Sequence, residues 1–244
     1  MTGQVTLFCL PHAGAGAAAY RGWAGQLPGW LVPVPLHLPG RGLRRAEAPV
    51  HDWPTLIDGL VRDALPHLAR PYAIFGHSMG ALVGLELAHA LRGRGAGEPL
   101  WFGASGCTAP ARRDPEPDWL DCPDATVVDE LRRLDGTPPE LIEDPEMLAL
   151  MLPSLRADFH LCGTHAPPSR PPLGCPLLVL GGRSDEIAAE RANLLDWARE
   201  TAGPFNIAMF DGGHFFVETV RDQVIATVID AAARATFVPG RRHG

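Results

Sequence analysis

The segment Gly76-His77-Ser78-Met79-Gly80 constrains this chain more than any other, because it follows the apolar run Tyr72-Ala73-Ile74-Phe75 and opens the helix-like run Ala81-Leu82-Val83-Gly84-Leu85-Glu86-Leu87-Ala88. Strand, sharp turn and helix in that order lift a serine clear of the carboxyl edge of a sheet. The strained turn admits only small neighbours such as Gly76 and Gly80. Ser78 therefore reads as a nucleophile. The same turn aims the Met79 N–H, and the positive end of the helix behind it, at any oxygen that gains charge during attack by Ser78. The alternative is a chance G-x-S-x-G in a chain with 27 glycines. The flanking strand and helix weigh against it.

Further strands are readable at residues 5–10, 32–38, 100–105, 177–180 and 206–210, alternating with helical patterns at 17–27, 55–68, 188–202 and 219–235. Such alternation implies an α/β fold with a mostly parallel sheet and helices on both faces. Pro33 and Pro35 each remove a ladder donor, which puts their strand near a sheet edge. Residues from about 110 to 172 interrupt the alternation with prolines, charges and two helix candidates, 125–134 and 144–159. That is far more chain than one strand-helix connection needs. The expected organisation is a single domain over residues 1–244 with a helical lid inserted at about 110–172. In the second lid helix Met147, Leu148, Met151, Leu152 and Leu155 recur at helical spacing, and Pro153 is expected to break or kink it. That stripe either seals the lid onto the core or meets substrate. Met147 and Met151 are its candidate substrate contacts.

The chain has 46% hydrophobic and 20% charged residues, and all 21 of its basic residues are arginines, against 28 acids, for a formal charge of −7. This balance argues against a nucleic-acid surface. Residues 1–4 run directly into the first strand with no basic region or long apolar segment, so a cytoplasmic protein without membrane attachment is expected. The five cysteines are scattered without a C-x-x-C, which suggests neither a disulfide framework nor a zinc site. His160, Cys162 and His165 form the one metal-like grouping, but their spacing matches no standard pattern, and structural roles are expected.

A nucleophile on this kind of turn needs an acid and then a base, in that chain order. Gly181-Gly182-Arg183-Ser184-Asp185 follows a strand and offers Asp185 as the acid. Asp211-Gly212-Gly213-His214-Phe215-Phe216 follows the last strand and offers His214 as the base. Asp211 is the rival acid, although its place before a turn fits a backbone-capping role. A neutral imidazole would take the Ser78 proton while a buried carboxylate holds its tautomer. The second oxyanion donor is expected in Pro11-His12-Ala13-Gly14-Ala15-Gly16 after the first strand, with the Ala13 N–H as the choice. The same loop has a second reading: Gly14, Gly16 and Ala19 satisfy G-x-G-x-x-A, the dinucleotide fingerprint of an oxidoreductase. No acid stands at the end of the second strand to complete it, although Arg41 could meet a 2′-phosphate.

Together these segments resemble the type II thioesterases of the α/β-hydrolase superfamily, the discrete editing enzymes of polyketide and nonribosomal peptide synthesis. The resemblance rests on Pro11-His12-Ala13-Gly14, Leu38-Pro39-Gly40-Arg41, the Ser78 pentapeptide with Ala81, Leu155-Arg156-Ala157-Asp158-Phe159, Gly181-Gly182 with Asp185, and Gly212-Gly213-His214-Phe215-Phe216. It implies a Ser78–Asp185–His214 triad, an oxyanion hole at Ala13 and Met79, and a helical lid over an acyl pocket, for which Phe215 joins Met147 and Met151 as a candidate wall. Two departures stand out: Ala15 where the family usually has a second glycine, and His165 where a tyrosine often follows the Arg-Ala-Asp-Phe run. The implied reaction is hydrolysis of acyl thioesters on the phosphopantetheine arm of acyl or peptidyl carrier protein domains, with no cofactor. Arg41, Arg44 and Arg45 are candidates for meeting the carrier, or else pair with Glu47 and other local acids. The alternatives are a small-molecule carboxylesterase and a non-catalytic binding protein of the same fold.

Overall fold

A computed structural model describes residues 3–186 and 191–237. Its strands are β1 (Val5–Leu10), β2 (Leu31–Pro35), β3 (Tyr72–His77), β4 (Phe102–Ser105), β5 (Leu177–Gly182) and β6 (Phe205–Phe210), all paired in parallel in the order β2-β1-β3-β4-β5-β6. The chain leaves β1 outward to β2 and returns on the other side to β3. The strand order therefore reverses between β1 and β3, and the crevice beyond their carboxyl ends is where an open α/β sheet places a ligand.

β1, β3 and β5 are buried along their whole length, as expected of strands covered on both faces. Their alternate residues feed two cores. Phe8, Leu10, Ile74, Phe102 and Val179 point to one side; Leu7, Phe75, Leu178 and Leu180 point to the other. The first side is covered by α1 (Trp53–Ala64) and α2 (Met79–Gly93). Asp52 starts α1 by accepting the Thr55 N–H at 2.9 Å, with Pro54 in the first turn. Gly84 lets α2 lie close on the sheet, since a Cβ there would sit 3.0 Å from carbons of Ile74 and Phe102. Between β4 and β5 the chain forms α3 (Asp124–Leu134), α4 (Pro139–Glu143) and α5 (Pro145–Gly163), which share a small core of Val127, Leu131, Ile142, Leu155 and Phe159. α6 (Arg191–Leu195) follows β5, and α7 (Phe216–Thr219) and α8 (Arg221–Thr236) follow β6; α8 covers the second side of the sheet.

Several sequence expectations need correction. The helix expected at residues 17–27 is a short 3₁₀ turn, Ala17–Tyr20, followed by non-helical turns. Gly22 and Gly25 weaken any longer helix, while Tyr20 and Trp23 are drawn inward onto Phe75. β2 is the edge strand its prolines require but ends at Pro35. Pro153 does not end α5, which continues through it; the proline and Ala149, whose carbonyl loses its donor, are both exposed to solvent. Of the helix expected at 188–202, residues 188–190 lie outside the described residues, and the remainder is α6 plus a 3₁₀ turn, Asp196–Glu200. The last helical stretch is split into α7 and α8.

Candidate active site

Ser78 sits between β3 and α2 with φ 54° and ψ −121°, a left-handed backbone that a non-glycine residue holds only under constraint. The constraint is visible on both sides. A Cβ on Gly76 would fall 1.9 Å from the Gly80 carbonyl oxygen, and one on Gly80 would fall 2.1 Å from that of Leu10. The Ser78 N–H is tied to the Ser105 carbonyl at 2.7 Å, locking the elbow to β4.

His214 Nε2 lies 3.0 Å from Ser78 Oγ, and His214 Nδ1 lies 3.1 Å from Asp185 Oδ2. The structure thus brings together Ser78, His214 and Asp185 from the ends of β3, β6 and β5. Asp185 and His214 are buried, and their two loops are laced together by backbone: Arg183 N–H donates to Phe210 at 2.8 Å and Ser184 N–H to Gly212 at 3.0 Å. Gly182 must lack a side chain there, because a Cβ would meet the Gly213 carbonyl oxygen at 2.5 Å. The rival Asp211 points away. Its carboxylate is 92% exposed and pairs with Arg183 at 3.2 Å.

Two more histidines stand beside this relay. The His77 ring is 5.2 Å from that of His214, and its Nδ1 lies 3.0 Å from Ser105 Oγ. Burial pushes the His77 pKa well below the usual value, and burial, with His214 and Arg41 nearby, lowers that of His12 to about 4. Both stay neutral near pH 7, so neither opposes a positive charge on His214.

A cavity of about 280 Å³ opens on Ser78 and His214. Ala13 and Met79, the two expected oxyanion donors, line it, as does Phe215. Met147 and Met151 do not. Both are half-buried, and Met151 packs on the small core of α3–α5. The apolar walls are instead Leu82, Trp119, Leu134 and Phe159 with Phe215, and Phe215 is seated so tightly on Gly136 that a Cβ there would overlap its ring. Sequence reading missed Trp119 and Leu134 because neither belongs to the stripe that marks α5. Arg113 also lines the cavity, its Nη2 donating to the Cys162 carbonyl at 3.2 Å near the end of α5.

The other singled-out residues are engaged elsewhere. His165 Nε2 lies 2.9 Å from Glu86 Oε1, and its ring packs on Trp53, away from the cavity. Among the described residues, no group of His, Cys, Asp or Glu is arranged to hold a metal. Arg41 is forked onto the buried Asp158 carboxylate, and Arg44 onto Glu47 with a further bond to Asp63 at 3.1 Å; Arg45 is exposed. The dinucleotide reading fails on the loop itself. No long helix begins after it, and the Gly14 N–H that would face a pyrophosphate is taken at 2.7 Å by the Asp158 carboxylate, which would repel one.

A parallel sheet with a strained serine elbow at the end of its third strand, and an acid and a histidine at the ends of its last two, defines an α/β-hydrolase, an enzyme of the serine hydrolase class. The chain belongs to the thioesterase domain family, whose model matches residues 5–232. Over 99% of its length it is 40% identical to "Linear gramicidin dehydrogenase LgrE" of Brevibacillus parabrevis, covering 92% of that protein. Among solved structures it resembles the RedJ thioesterase of the prodiginine pathway of Streptomyces coelicolor, with TM-score 0.87 and 34% identity over 94% of this chain and 91% of that one. It likewise resembles the type II thioesterase BorB from the borrelidin biosynthetic cluster, with TM-score 0.80 and 33% identity over 94% of this chain and 93% of that one. Among the described residues no helix is long and apolar enough to cross a membrane.

Proposed function

We propose that this enzyme clears acyl groups from the phosphopantetheine arm of acyl or peptidyl carrier protein domains, as an editing thioesterase of polyketide or nonribosomal peptide assembly. The observation that carries the reading is the Ser78–His214–Asp185 relay, with separations of 3.0 and 3.1 Å, opening on an acyl-sized cavity. Solved relatives named for the prodiginine biosynthetic pathway and the borrelidin biosynthetic cluster support the choice of carrier-bound substrates.

Ser78 Oγ attacks the thioester carbonyl carbon as its proton passes to His214 Nε2. The carbonyl oxygen gains the charge, which the N–H groups of Ala13 and Met79 receive, and Asp185 steadies the imidazolium. Collapse of this intermediate breaks the C–S bond, and His214 returns its proton to the departing thiol. Water, activated by His214, then attacks the Ser78 ester and releases the free acid. Every proton is handled by these side chains, so the cycle needs no cofactor. The α3–α5 insertion acts as a lid, since Leu134 and Phe159 from it complete the acyl cavity. At about 280 Å³ the cavity lies at the small end of ligand sites, about 300–1,000 Å³, and suits a short acyl group rather than a finished peptide. The carrier would approach the rim where β1 and β3 end.

Hydrolysis of one acyl group presented on a carrier protein, on coenzyme A and as a phenyl ester tests this. The reading expects the highest kcat/KM on the carrier. A preference for the phenyl ester would make the protein a small-molecule esterase, and no turnover of any of the three would make it a binding protein.

A further inference from the structure

The oxyanion loop after β1 is held by the insertion. Ala15 N–H donates to the His12 carbonyl at 3.1 Å, closing a four-residue turn in which Gly14 has φ +76°. Positive φ at the third position is what a type II turn requires. Types I and II differ by a flip of the peptide between the second and third residues, here Ala13–Gly14. That peptide cannot flip freely in this protein, because its N–H, on Gly14, donates to Asp158 Oδ2 at 2.7 Å. Asp158 lies on α5 with its side chain 2% exposed. It is itself fixed by Arg41, which reaches from the loop after β2 with Nη1 on Oδ2 and Nη2 on Oδ1 at 2.7 Å. Arg41 Nη1 also reaches the Ala15 carbonyl at 3.4 Å. Two further contacts seat the same assembly: Ser154 Oγ donates to the Gly40 carbonyl at 3.1 Å, and a Cβ on Gly14 would meet Leu155 Cδ2 at 2.7 Å.

We propose that Asp158, held by Arg41, is a positioning residue for the oxyanion hole: by anchoring the Gly14 N–H it fixes where the whole His12–Ala15 turn sits, including the preceding His12–Ala13 peptide that carries the Ala13 N–H, and so couples the seating of the α5 lid helix to the competence of Ser78. The proposal rests on the reading of Ala13 as an oxyanion donor. Asp158 touches neither Ser78 nor His214, and it does not line the acyl cavity. Its effect passes through the turn. Whenever α5 lifts from the sheet, the Gly14 N–H loses its acceptor and the turn is released. Acylation would then proceed only with the lid seated, and a free serine under an open lid would be a poor nucleophile toward water-exposed esters.

The test compares wild type with Asp158→Asn, which keeps the shape of the side chain but removes the charge that Arg41 grips. Three readouts are taken: kcat and KM on an acyl N-acetylcysteamine thioester, affinity for an alkyl boronic acid that forms a tetrahedral adduct on the serine, and the thermal midpoint. Losing one oxyanion donor costs about 10²–10³ in kcat, so a misplaced one is expected to cost about 10–100-fold. KM should stay within about twofold, and boronate affinity should fall with kcat. If Asp158→Asn does not fold, Arg41→Lys takes its place. It keeps the charge without the fork, and the same pattern at about tenfold is expected. Unchanged kcat and boronate affinity in a folded variant would overturn the proposal, as would a rise in KM with boronate affinity intact. Inactive wild type would instead count against the thioesterase reading itself.

Discussion

At the scale of single residues the site turns on which carboxylate serves His214. Asp185 is buried and 3.1 Å from Nδ1, whereas Asp211 is solvent-exposed and turned toward Arg183. Replacing the acid of such a relay by its amide leaves the shape intact but favours the wrong imidazole tautomer, at a cost of about 10⁴ in kcat. Asp185→Asn should therefore lower kcat by about that factor in steady-state hydrolysis. Asp211→Asn should stay within about twofold, because an exposed pair contributes at most about 1 kcal/mol. The reverse ranking would move the acid to the wrong loop. Both aspartates were legible in the sequence as candidates, since each follows a strand end. What separated them is burial, which depends on how the two loops lace together in space. Asp158 was legible only as one letter of a motif. Its partners Arg41 and Gly14 lie 117 and 144 positions away in the chain, and nothing local in the sequence announces that pairing.

At the scale of elements, strand positions were readable because fully buried strands leave dense apolar runs and the serine elbow leaves two obligatory glycines. Short 3₁₀ turns leave no such period, which is why the segment after β1 reads as a helix and is not one. The insertion illustrates another limit. The stripe of Met147 and Met151 reports that α5 has a buried side without saying what is buried beneath it, and the cavity is walled by Leu134, Trp119 and Phe159 instead. Leu134→Ala should therefore widen the cavity and shift the kcat/KM ratio of an eight-carbon to a four-carbon acyl thioester by about tenfold. One methylene is worth about 1–3 kcal/mol of discrimination. Met147→Ala should leave that ratio unchanged. Equal losses at both lengths for Leu134→Ala would mean that it only packs α3.

At the scale of the whole molecule the same burial that keeps His12 and His77 neutral makes the fold acid-sensitive. His89 is also lowered to about 4, chiefly by burial and then by Arg170 and Arg92. Below pH 6.5 the unfolded chain binds protons that these folded histidines refuse, so stability rises with pH there and is lost on acidification from about 6.5 toward 4. Glu86 extends the loss. Burial alone would raise its pKa, but the hydrogen bonds from His165 and Arg170 outweigh that and hold it at about 2, so its contribution is present above 4.5 and disappears as pH falls from there toward 2. Denaturant midpoints measured from pH 8 to 4 should decline steadily below about 6.5, and His89→Gln should flatten the decline; a flat profile down to pH 5 would contradict this assignment of charge states. The parallel sheet, the family and the serine chemistry were accessible from sequence because they rest on apolar runs and short motifs. The cavity beside Ser78 and the link between α5 and the loop after β1 exist only where distant segments meet. The central claim is that Ser78 carries the acyl group during turnover. Intact-mass spectrometry during reaction with a slowly hydrolysed acyl thioester should show one acyl adduct, mapped to the peptide containing Ser78 and absent in Ser78→Ala. An adduct on a cysteine or another serine, or one that persists in Ser78→Ala, would contradict the account.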